Sequence, residues 1–252
     1  MIQIRNLHKR FEEKVVLRGV DLDVYDGERL VIIGRSGCGK SVLLKHIINL
    51  LQPDKGYILV DEIPIKKVGQ KDLFFLRKQF GFLFQGAALF DSMSVAENIA
   101  LPLVEHSKMS KSEMLKKVAE KLELVGLPGI ENLKPAELSG GMKKRVGLAR
   151  AIVMDPKYIL YDEPTTGLDP IMAANIDKLI IDLSEKLKVT SIVVTHDMQS
   201  VAKVADRVVM LHNGKIRFGG KVDELYSSKD AVIKQFVNAE TDGPIQPKPV
   251  KY

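Results

Sequence analysis

An α/β fold built on a largely parallel sheet is predicted for this chain of 252 residues by three observations. Short apolar runs with the length of buried strands alternate with segments in which apolar residues recur at helical spacing. A glycine-rich loop joins the first such run to its helix, and a second run ends in two carboxylates. Alternation of this kind is typical of parallel strands with helices packed on the sheet.

The strand–helix pairs are located by their apolar spacing. Leu30 to Ile33 precedes the loop and a helical segment with apolar residues at 43, 44, 47, 48 and 51. Tyr158 to Tyr161 precedes a helix with apolar residues at 176, 179, 180, 183 and 187. Residues 2 to 25 instead have the pattern of strands interrupted by charged turns. We therefore expect an antiparallel β element at the N-terminal side of the loop.

Helical signals replace strand signals between about residues 86 and 150. Two segments, at 94–97 and 110–113, fit the capping box, in which Ser and Glu satisfy free backbone donors at a helix start. The second begins a helix with apolar residues at 114, 115, 118, 122 and 125 on one face. This pattern predicts a helical subdomain inserted into a domain of residues 1–238. Residues 239–252 contain three prolines and no helical period, which predicts an extended tail.

Composition and charge restrict the class of protein. The chain is 45% hydrophobic and 28% charged, and no uncharged stretch approaches the roughly 20 apolar residues that a membrane-spanning helix requires. Its start lacks the pattern of a secretory signal, and its single cysteine has no partner, so we expect a cytosolic location. The net charge of +6 is scattered and lacks interleaved aromatic residues, which favours a membrane surface over nucleic acid.

The glycine-rich loop fits the phosphate-binding motif G-x-x-x-x-G-K-S, between a strand-like run and a helical one. Its backbone donors and the helix N-terminus attract phosphates, Lys40 supplies a cation for the outer phosphates, and Ser41 is expected to hold Mg²⁺. A chance glycine-rich turn is the alternative, which the flanking elements disfavour. The expected ATP-binding residues are Gly34, Arg35, Ser36, Gly37, Cys38, Gly39, Lys40, Ser41 and Val42. Cys38 is expected to pack rather than react, because no histidine or second cysteine accompanies it.

Asp162 and Glu163 follow four apolar residues, so a buried strand is expected to deliver two carboxylates to one edge of the sheet. Asp162 suits the surroundings of Mg²⁺, and Glu163 suits the base or positioning group for an attacking water. A surface acidic pair is the other interpretation, and the apolar run before it disfavours that interpretation.

The segment Leu138-Ser139-Gly140-Gly141-Met142, with Lys144-Arg145 and Ala149-Arg150-Ala151 behind it, resembles the signature of ATP-binding cassette (ABC) ATPases. The resemblance extends over about residues 2 to 237. It implies that Ser139, Gly140 and Gly141 begin a helix that faces the γ-phosphate of ATP on another protomer. Two copies would then enclose two ATP molecules head to tail. Without the other motifs, such a turn would be an ordinary N-cap.

Four further positions are carried over from that resemblance. Phe11 resembles the aromatic residue that stacks on adenine, although tyrosine is commoner there. Gln85 resembles the glutamine that contacts Mg²⁺ and water and senses the membrane partner. Asp169 resembles the aspartate that crosses the dimer interface, and it also fits a local N-cap before Pro170. His196 resembles the switch histidine at the γ-phosphate.

Residues 85–91, followed by 98–103, resemble the ATPases of Mce-type lipid transporters. This resemblance implies an ATP-hydrolysing subunit at the cytoplasmic face of the inner membrane that drives an integral-membrane permease in phospholipid transport. The same resemblance adds a small regulatory subunit and an Mce-type lipid-binding protein to the expected partners. An importer of polar amino acids or other small solutes remains the alternative.

Two classes of protein without a transport function fit this sequence less well. A translation-type ABC protein normally has two cassettes in one chain, and a repair-type one has a long coiled coil, whereas this chain has one cassette and no heptad run. A purely regulatory nucleotide-binding module is expected to lose Glu163 or His196, and both are present. An active ATPase therefore fits the sequence better than either.

Overall fold

The computed structural model describes residues 1–66 and 69–246. Within these ranges the strands are β1 Ile2–Phe11, β2 Lys14–Val24, β3 Arg29–Ile33, β4 Lys55–Val60, β5 Ile63–Pro64, β6 Phe80–Leu83, β7 Tyr158–Asp162, β8 Thr190–Val194, β9 Arg207–His212 and β10 Lys215–Gly220. The helices are α1 Lys40–Ile47, α2 Gln70–Lys78, α3 Val95–His106, α4 Lys111–Leu124, α5 Gly140–Ile152, α6 Pro170–Leu187, α7 Met198–Val204, α8 Val222–Tyr226 and α9 Ala231–Val237, with a 3₁₀ turn at Pro135–Glu137.

Two sheets organise these elements. Strands β2-β1-β4-β5 form an antiparallel sheet in that order, which confirms the N-terminal β element. Strands β10-β9-β3-β8-β7-β6 form the second sheet. In this sheet β6, β7, β8, β3 and β9 run parallel, and β10 pairs antiparallel with β9. The mixed α/β fold with a largely parallel sheet is therefore confirmed.

The parallel strands are buried on both faces, as expected for a sheet with layers on either side. In β3, Val31 and Ile33 pack into a core shared with helices α3 to α7, whereas Leu30 and Ile32 pack into a core shared with α1 and the antiparallel sheet. Alternate residues of one strand thus hold the three layers together.

Helices α3, α4 and α5 occupy the segment that the sequence predicts to be helical. Both capping boxes form, since Ser94 accepts a hydrogen bond from the Glu97 amide and Ser110 from the Glu113 amide. Val118 and Leu122 of α4 are buried, whereas Leu115, in the second turn on the same apolar face, is 45% exposed.

Helix α1 ends at Ile47, one turn before the expected Leu51. The backbone of Asn49 enters the left-handed region with φ of 55°, and the amide of Leu50 bonds to the Lys45 carbonyl at 2.8 Å. The left-handed Asn49 redirects the chain at the end of the helix, and the Leu50 amide satisfies a carbonyl of the last helical turn. Among the described residues, no helix has both the length and the apolar character to cross a bilayer.

Candidate nucleotide-binding site

Predicted site residues from four motifs gather where four parallel strands end. The phosphate loop follows β3, Gln85 follows β6, Asp162 and Glu163 end β7, and His196 follows β8. Because these strands are parallel, their carboxyl ends lie along one edge of the sheet, which is where open α/β sheets bind ligands. The fold therefore brings four separate sequence motifs to one place.

The phosphate loop depends on close approach and on left-handed backbone. Gly34 has φ of 150°, and a Cβ placed there would lie 2.3 Å from the Leu211 carbonyl oxygen. Gly39, the N-cap of α1, has φ of 113°. Lys40 is 5% exposed and donates from Nζ to the Gly34 carbonyl at 2.8 Å and the Arg35 carbonyl at 3.3 Å. The loop thus curls around its own lysine.

Ser41 and Asp162 form a pair of oxygen donors. The Ser41 hydroxyl donates to Oδ1 of Asp162 at 2.7 Å across 121 residues of sequence. Asp162 is 7% exposed, and burial, with Glu163 adding a like charge, raises its pKa above the ordinary value. A hydroxyl and a buried carboxylate are hard ligands of the kind that Mg²⁺ accepts together with phosphates. A nearby cation would also offset the cost of the buried charge. The residues present therefore fit Mg²⁺.

Glu163 is the most constrained residue of the site. Its backbone has φ of 52°, an uncommon conformation for a residue other than glycine. Its carboxylate lies 3.3 Å from the ammonium of Lys40 and 2.7 Å from Nδ1 of His196, and it accepts a hydrogen bond from the Thr166 hydroxyl at 3.2 Å. Strained backbone maintained by several partners is typical of functional sites.

Gln85 is brought to the same edge, but its side chain is exposed and makes no hydrogen bond with another described residue. Its backbone carbonyl instead accepts a hydrogen bond from the ammonium of Lys144 on α5. Two residues of the loop that follows have left-handed backbone, with φ of 60° at Ala87 and 49° at Ala88. Its contact with Mg²⁺ stays a prediction.

The signature segment forms a capped helix start. Ser139 is the N-cap of α5, and its hydroxyl accepts a hydrogen bond from the Met142 amide at 3.3 Å. A Cβ added at Gly141 would lie 2.3 Å from Cε of Met172, so this turn packs against the start of α6. No hydrogen bond joins Ser139, Gly140 or Gly141 to the phosphate loop of the same chain among the described residues.

Asp169 takes the local role that its sequence context allows. Its Oδ1 accepts hydrogen bonds from the Ile171 and Met172 amides at 3.0 Å each, which makes it the N-cap of α6. The side chain is exposed beside the signature turn. Its role across a dimer interface stays a prediction.

A cleft of about 870 Å³ lies beside the phosphate loop. Residues 13–16 of β2 and its turn line one side of the cleft, and residues 35–38 of the loop line another. Phe11 is 40% exposed at the end of β1, outside this lining, with the ammonium of Lys9 5.4 Å from its ring centre. Cys38 packs beside the core, and burial raises its pKa, as expected for an unreactive thiol.

Several contacts of this site were not predicted from the sequence. Thr166 touches the Glu163 carboxylate, and Lys144 and Arg150 bind carbonyls of the Gln85 loop. Both cations stand in the segment that resembles the ABC signature, yet cationic residues on a helix are usually solvated. Their burial distinguishes them from such solvated residues, and the sequence alone does not reveal it. Lys144, for example, is 6% exposed.

Comparison with known proteins agrees with this geometry. The family model described as ABC transporter matches residues 17–166. The chain is 44% identical over 244 residues to a probable ribonucleotide transport ATP-binding protein, mkl, of Mycobacterium leprae, covering 97% of this chain and 70% of that one. It is 41% identical over 246 residues to the intermembrane phospholipid transport system ATP-binding protein MlaF of Haemophilus influenzae, covering 98% and 93%. It is 38% identical over 241 residues to the methionine import ATP-binding protein MetN of Clostridioides difficile, covering 96% and 75%.

A solved structure has the same architecture. The dimeric post-hydrolysis state of the ATP-binding cassette MJ0796, bound to ADP and Pi, superposes with a TM-score of 0.80 at 33% identity, covering 88% of this chain and 99% of that one. The family match and the fold agree. The chain belongs to the ABC transporter family, as an ATP-binding and ATP-hydrolysing subunit of a transporter.

Proposed function

We propose that this subunit drives an integral-membrane permease that moves phospholipid, as in Mce/Mla-type systems. The observation that carries the proposal is the segment Gln85 to Asp91, which resembles Mce-type ATPases and lies along an aromatic groove. The similarity to MlaF over 98% of this chain supports the same substrate class. Import of a polar solute is the second candidate, and the similarity to MetN favours it.

The nucleotide roles follow from the contacts at the sheet edge. Residues 34–42 hold the phosphates of ATP, with Lys40 as the cation of the loop. Ser41 and Asp162 hold Mg²⁺, which neutralises phosphate charge, and Gln85 completes that set. Glu163 positions or deprotonates the attacking water, and His196, 2.7 Å from its carboxylate, holds that group in place. Phe11 contacts the base beside the cleft.

The catalytic site is shared between two copies of the chain. Ser139, Gly140 and Gly141 stand at a helix N-terminus, where backbone donors attract anions. They do not bind their own phosphate loop, so we assign them, with Asp169, to the ATP held by the partner. The dimeric arrangement of MJ0796 supports this head-to-tail assembly.

The permease docks in a groove of about 790 Å³ between β6, α2 and α3. Its walls carry five phenylalanine rings, those of Phe74, Phe80, Phe82, Phe84 and Phe90. Phe90 is 51% exposed, and such an exposed apolar surface is typical of a protein interface. Ala88 also lines this groove, whereas Ala87 and Leu89 face the interior. The loop thus joins the groove to Gln85.

Residues 1–238 constitute the cassette, with a helical subdomain at about 86–150, and residues 239–252 form the tail. The side-chain amide of Gln235 pairs with both backbone groups of Ile245, at 3.1 and 2.6 Å, and Arg35 donates to the Gln246 carbonyl at 2.8 Å. Pro247, Pro249, Val250 and Tyr252 lie outside the described residues. We propose that this tail contacts the second ATPase or a small regulatory protein. An Mce-type lipid-binding protein is a further proposed member of the same complex.

Co-purification tests the substrate class. The tagged chain, extracted from membranes of its host in detergent, is expected to bring its permease and bound phospholipid, identified by mass spectrometry. A Phe90→Asp chain prepared in parallel controls for lipid carried by the detergent alone. A permease that co-purifies with a polar solute and no phospholipid above that control would favour the second candidate.

A further inference from the structure

Lys144 contacts two parts of the site at once. Its ammonium donates to the backbone carbonyl of Gln85 and, at 3.3 Å, to the backbone carbonyl of Glu163. These two carbonyls belong to different motifs, 78 residues apart, and Lys144 belongs to a third, the signature helix α5. One side chain therefore joins three motifs within one protomer.

The cation is buried without a paired anion. Lys144 is 6% exposed and forms no ion pair within residues 1–66 and 69–246. Burial lowers its pKa, which the charges of Asp162 and Glu163 partly oppose. Placing an ammonium in such a position is costly, and a residue that only packs would not require the charge. Its charge-assisted hydrogen bonds to the carbonyls are what compensate this cost.

The same loop is held by further contacts with α5. Ala87 and Ala88 are left-handed, and the guanidinium of Arg150, also on α5, donates to their carbonyls at 2.6 and 2.8 Å. Between the two cations, Gly147 lets the helix approach, because a Cβ there would lie 3.1 Å from the Ala87 Cβ. Lys144 and Arg150 thus bind the loop to the signature helix, and Gly147, midway between them, provides the space for this contact.

We propose that Lys144 is a positioning residue that locks the Gln85 loop and the backbone of Glu163 to helix α5. One side chain then fixes the relative positions of the signature helix, the loop beside the permease groove and the backbone of the water-positioning carboxylate. The inference rests on the roles proposed above for Gln85 and Glu163. Loss of the ammonium removes a charge-assisted hydrogen bond from each of the two carbonyls and frees Glu163 to shift from its strained position.

The test is the steady-state kinetics of Lys144→Met, which keeps the length of the side chain and removes its donors. We expect kcat to fall roughly tenfold to a hundredfold, the loss typical of a misplaced catalytic group. KM for ATP and the affinity for a fluorescent ATP analogue are expected to stay unchanged, because Lys144 does not touch the phosphate loop. Lys144→Arg, which restores donors for both carbonyls, is expected to recover most of kcat.

Controls separate positioning from folding. Lys116→Met makes the same change at an exposed site on α4 and is expected to leave kcat unaltered. Thermal melts show whether each variant is folded at the assay temperature. If Lys144→Met does not fold, Lys144→Gln replaces it. We expect the same fall in kcat with unchanged KM, because the shorter amide cannot reach both carbonyls.

Two results would overturn the inference. One is a kcat within about twofold of wild type in the folded variant. The other is a loss of nucleotide affinity that parallels the loss of kcat. Glu163→Gln, assayed alongside, separates this failure from that of the proposed function. If Glu163→Gln also hydrolyses ATP normally, the proposed catalytic site is wrong, whereas normal activity in Lys144→Met alone rejects only the positioning role.

Discussion

Nδ1 of His196 lies 2.7 Å from Oε2 of Glu163, while Oε1 of the same carboxylate lies 3.3 Å from the ammonium of Lys40. Residues from three motifs thus meet on one carboxylate. The Glu163 side chain is 11% exposed, whereas that of His196 is 56% exposed, so the histidine is the solvent-facing side of this group. A buried carboxylate between two cationic or titratable partners is well placed to orient a water molecule.

Replacing Glu163 by Gln is expected to lower ATP hydrolysis by two or more orders of magnitude while leaving ATP affinity intact. The amide keeps the shape of the side chain and loses the charge and basicity. Phosphate release and fluorescent-nucleotide titration measure the two quantities on purified protein. Glu123→Gln, an exposed site on α4, serves as the matched control. Hydrolysis near the wild-type rate in Glu163→Gln would reject its catalytic assignment.

A mixture of two inactive variants tests the shared site. A Lys40→Ala chain lacks the phosphate cation, and a Ser139→Arg chain blocks the signature turn. In a head-to-tail heterodimer, both substitutions fall at one ATP site and the other ATP site contains neither. We therefore expect part of the activity to return. Differential tags establish that heterodimers form. A mixture as inactive as its parents would argue against the head-to-tail assembly or show that both sites must be intact.

An acidic substitution in the aromatic groove is expected to separate ATP hydrolysis from membrane coupling. Phe90→Asp places a charge on a half-exposed ring that we assign to the permease interface, and burial of that charge on docking is costly. The isolated chain should hydrolyse ATP at the wild-type rate, whereas recovery of the permease in pull-downs should fall. Leu115→Asp, on a similarly exposed apolar residue of α4, is the control. Equal permease recovery by both variants would place the interface elsewhere.

The buried Asp177 on α6 is expected to make stability depend on pH. It is 2% exposed, Oδ1 has no hydrogen-bond partner among the described groups, and Oδ2 accepts a hydrogen bond from Ser200 at 3.0 Å. Burial raises its pKa, Lys203 lowers it and Asp197 raises it. The folded protein therefore favours the neutral acid, and this stabilisation is lost as pH rises through the folded pKa.

Asp177→Asn removes that ionisation. We expect Tm of the variant to exceed that of wild type at pH 8, and the difference to shrink as pH is lowered from 8 to 4, because the raised pKa of Asp177 favours its protonation in that direction. Thermal melts across this range measure it, with Asp182→Asn on the same helix as the control. A Tm difference that is constant with pH would show that Asp177 does not titrate as its burial implies.

Local chemistry made part of this protein predictable. The capping boxes at Ser94 and Ser110 formed as expected, because a serine and a glutamate three residues apart satisfy backbone donors without help from elsewhere. The parallel sheet followed from apolar runs such as β7, which is buried along its whole length. Where neighbouring residues decide the outcome, sequence was a sufficient guide.

Contacts between distant segments were not predictable in the same way. The motifs assigned both Ser41 and Asp162 to Mg²⁺ without predicting the hydrogen bond between them. The reach of Lys144 to Gln85 depends on how closely α5 packs on β6, which Gly147 permits. The exposure of Leu115 and the end of α1 at Ile47 likewise depend on tertiary packing and on the backbone of Asn49. Side-chain periodicity contains no information about such distances.

Sedimentation velocity of Glu163→Gln with saturating ATP and Mg²⁺ tests the shared-site account most directly. Because the variant binds ATP and hydrolyses it slowly, two chains should remain joined around two nucleotides, and the boundary should move at the rate of a dimer. Without nucleotide, or with Ser139→Arg added, it should return to that of a monomer. A monomer boundary for Glu163→Gln at nucleotide saturation, confirmed by a co-sedimenting ATP analogue, would contradict the composite site.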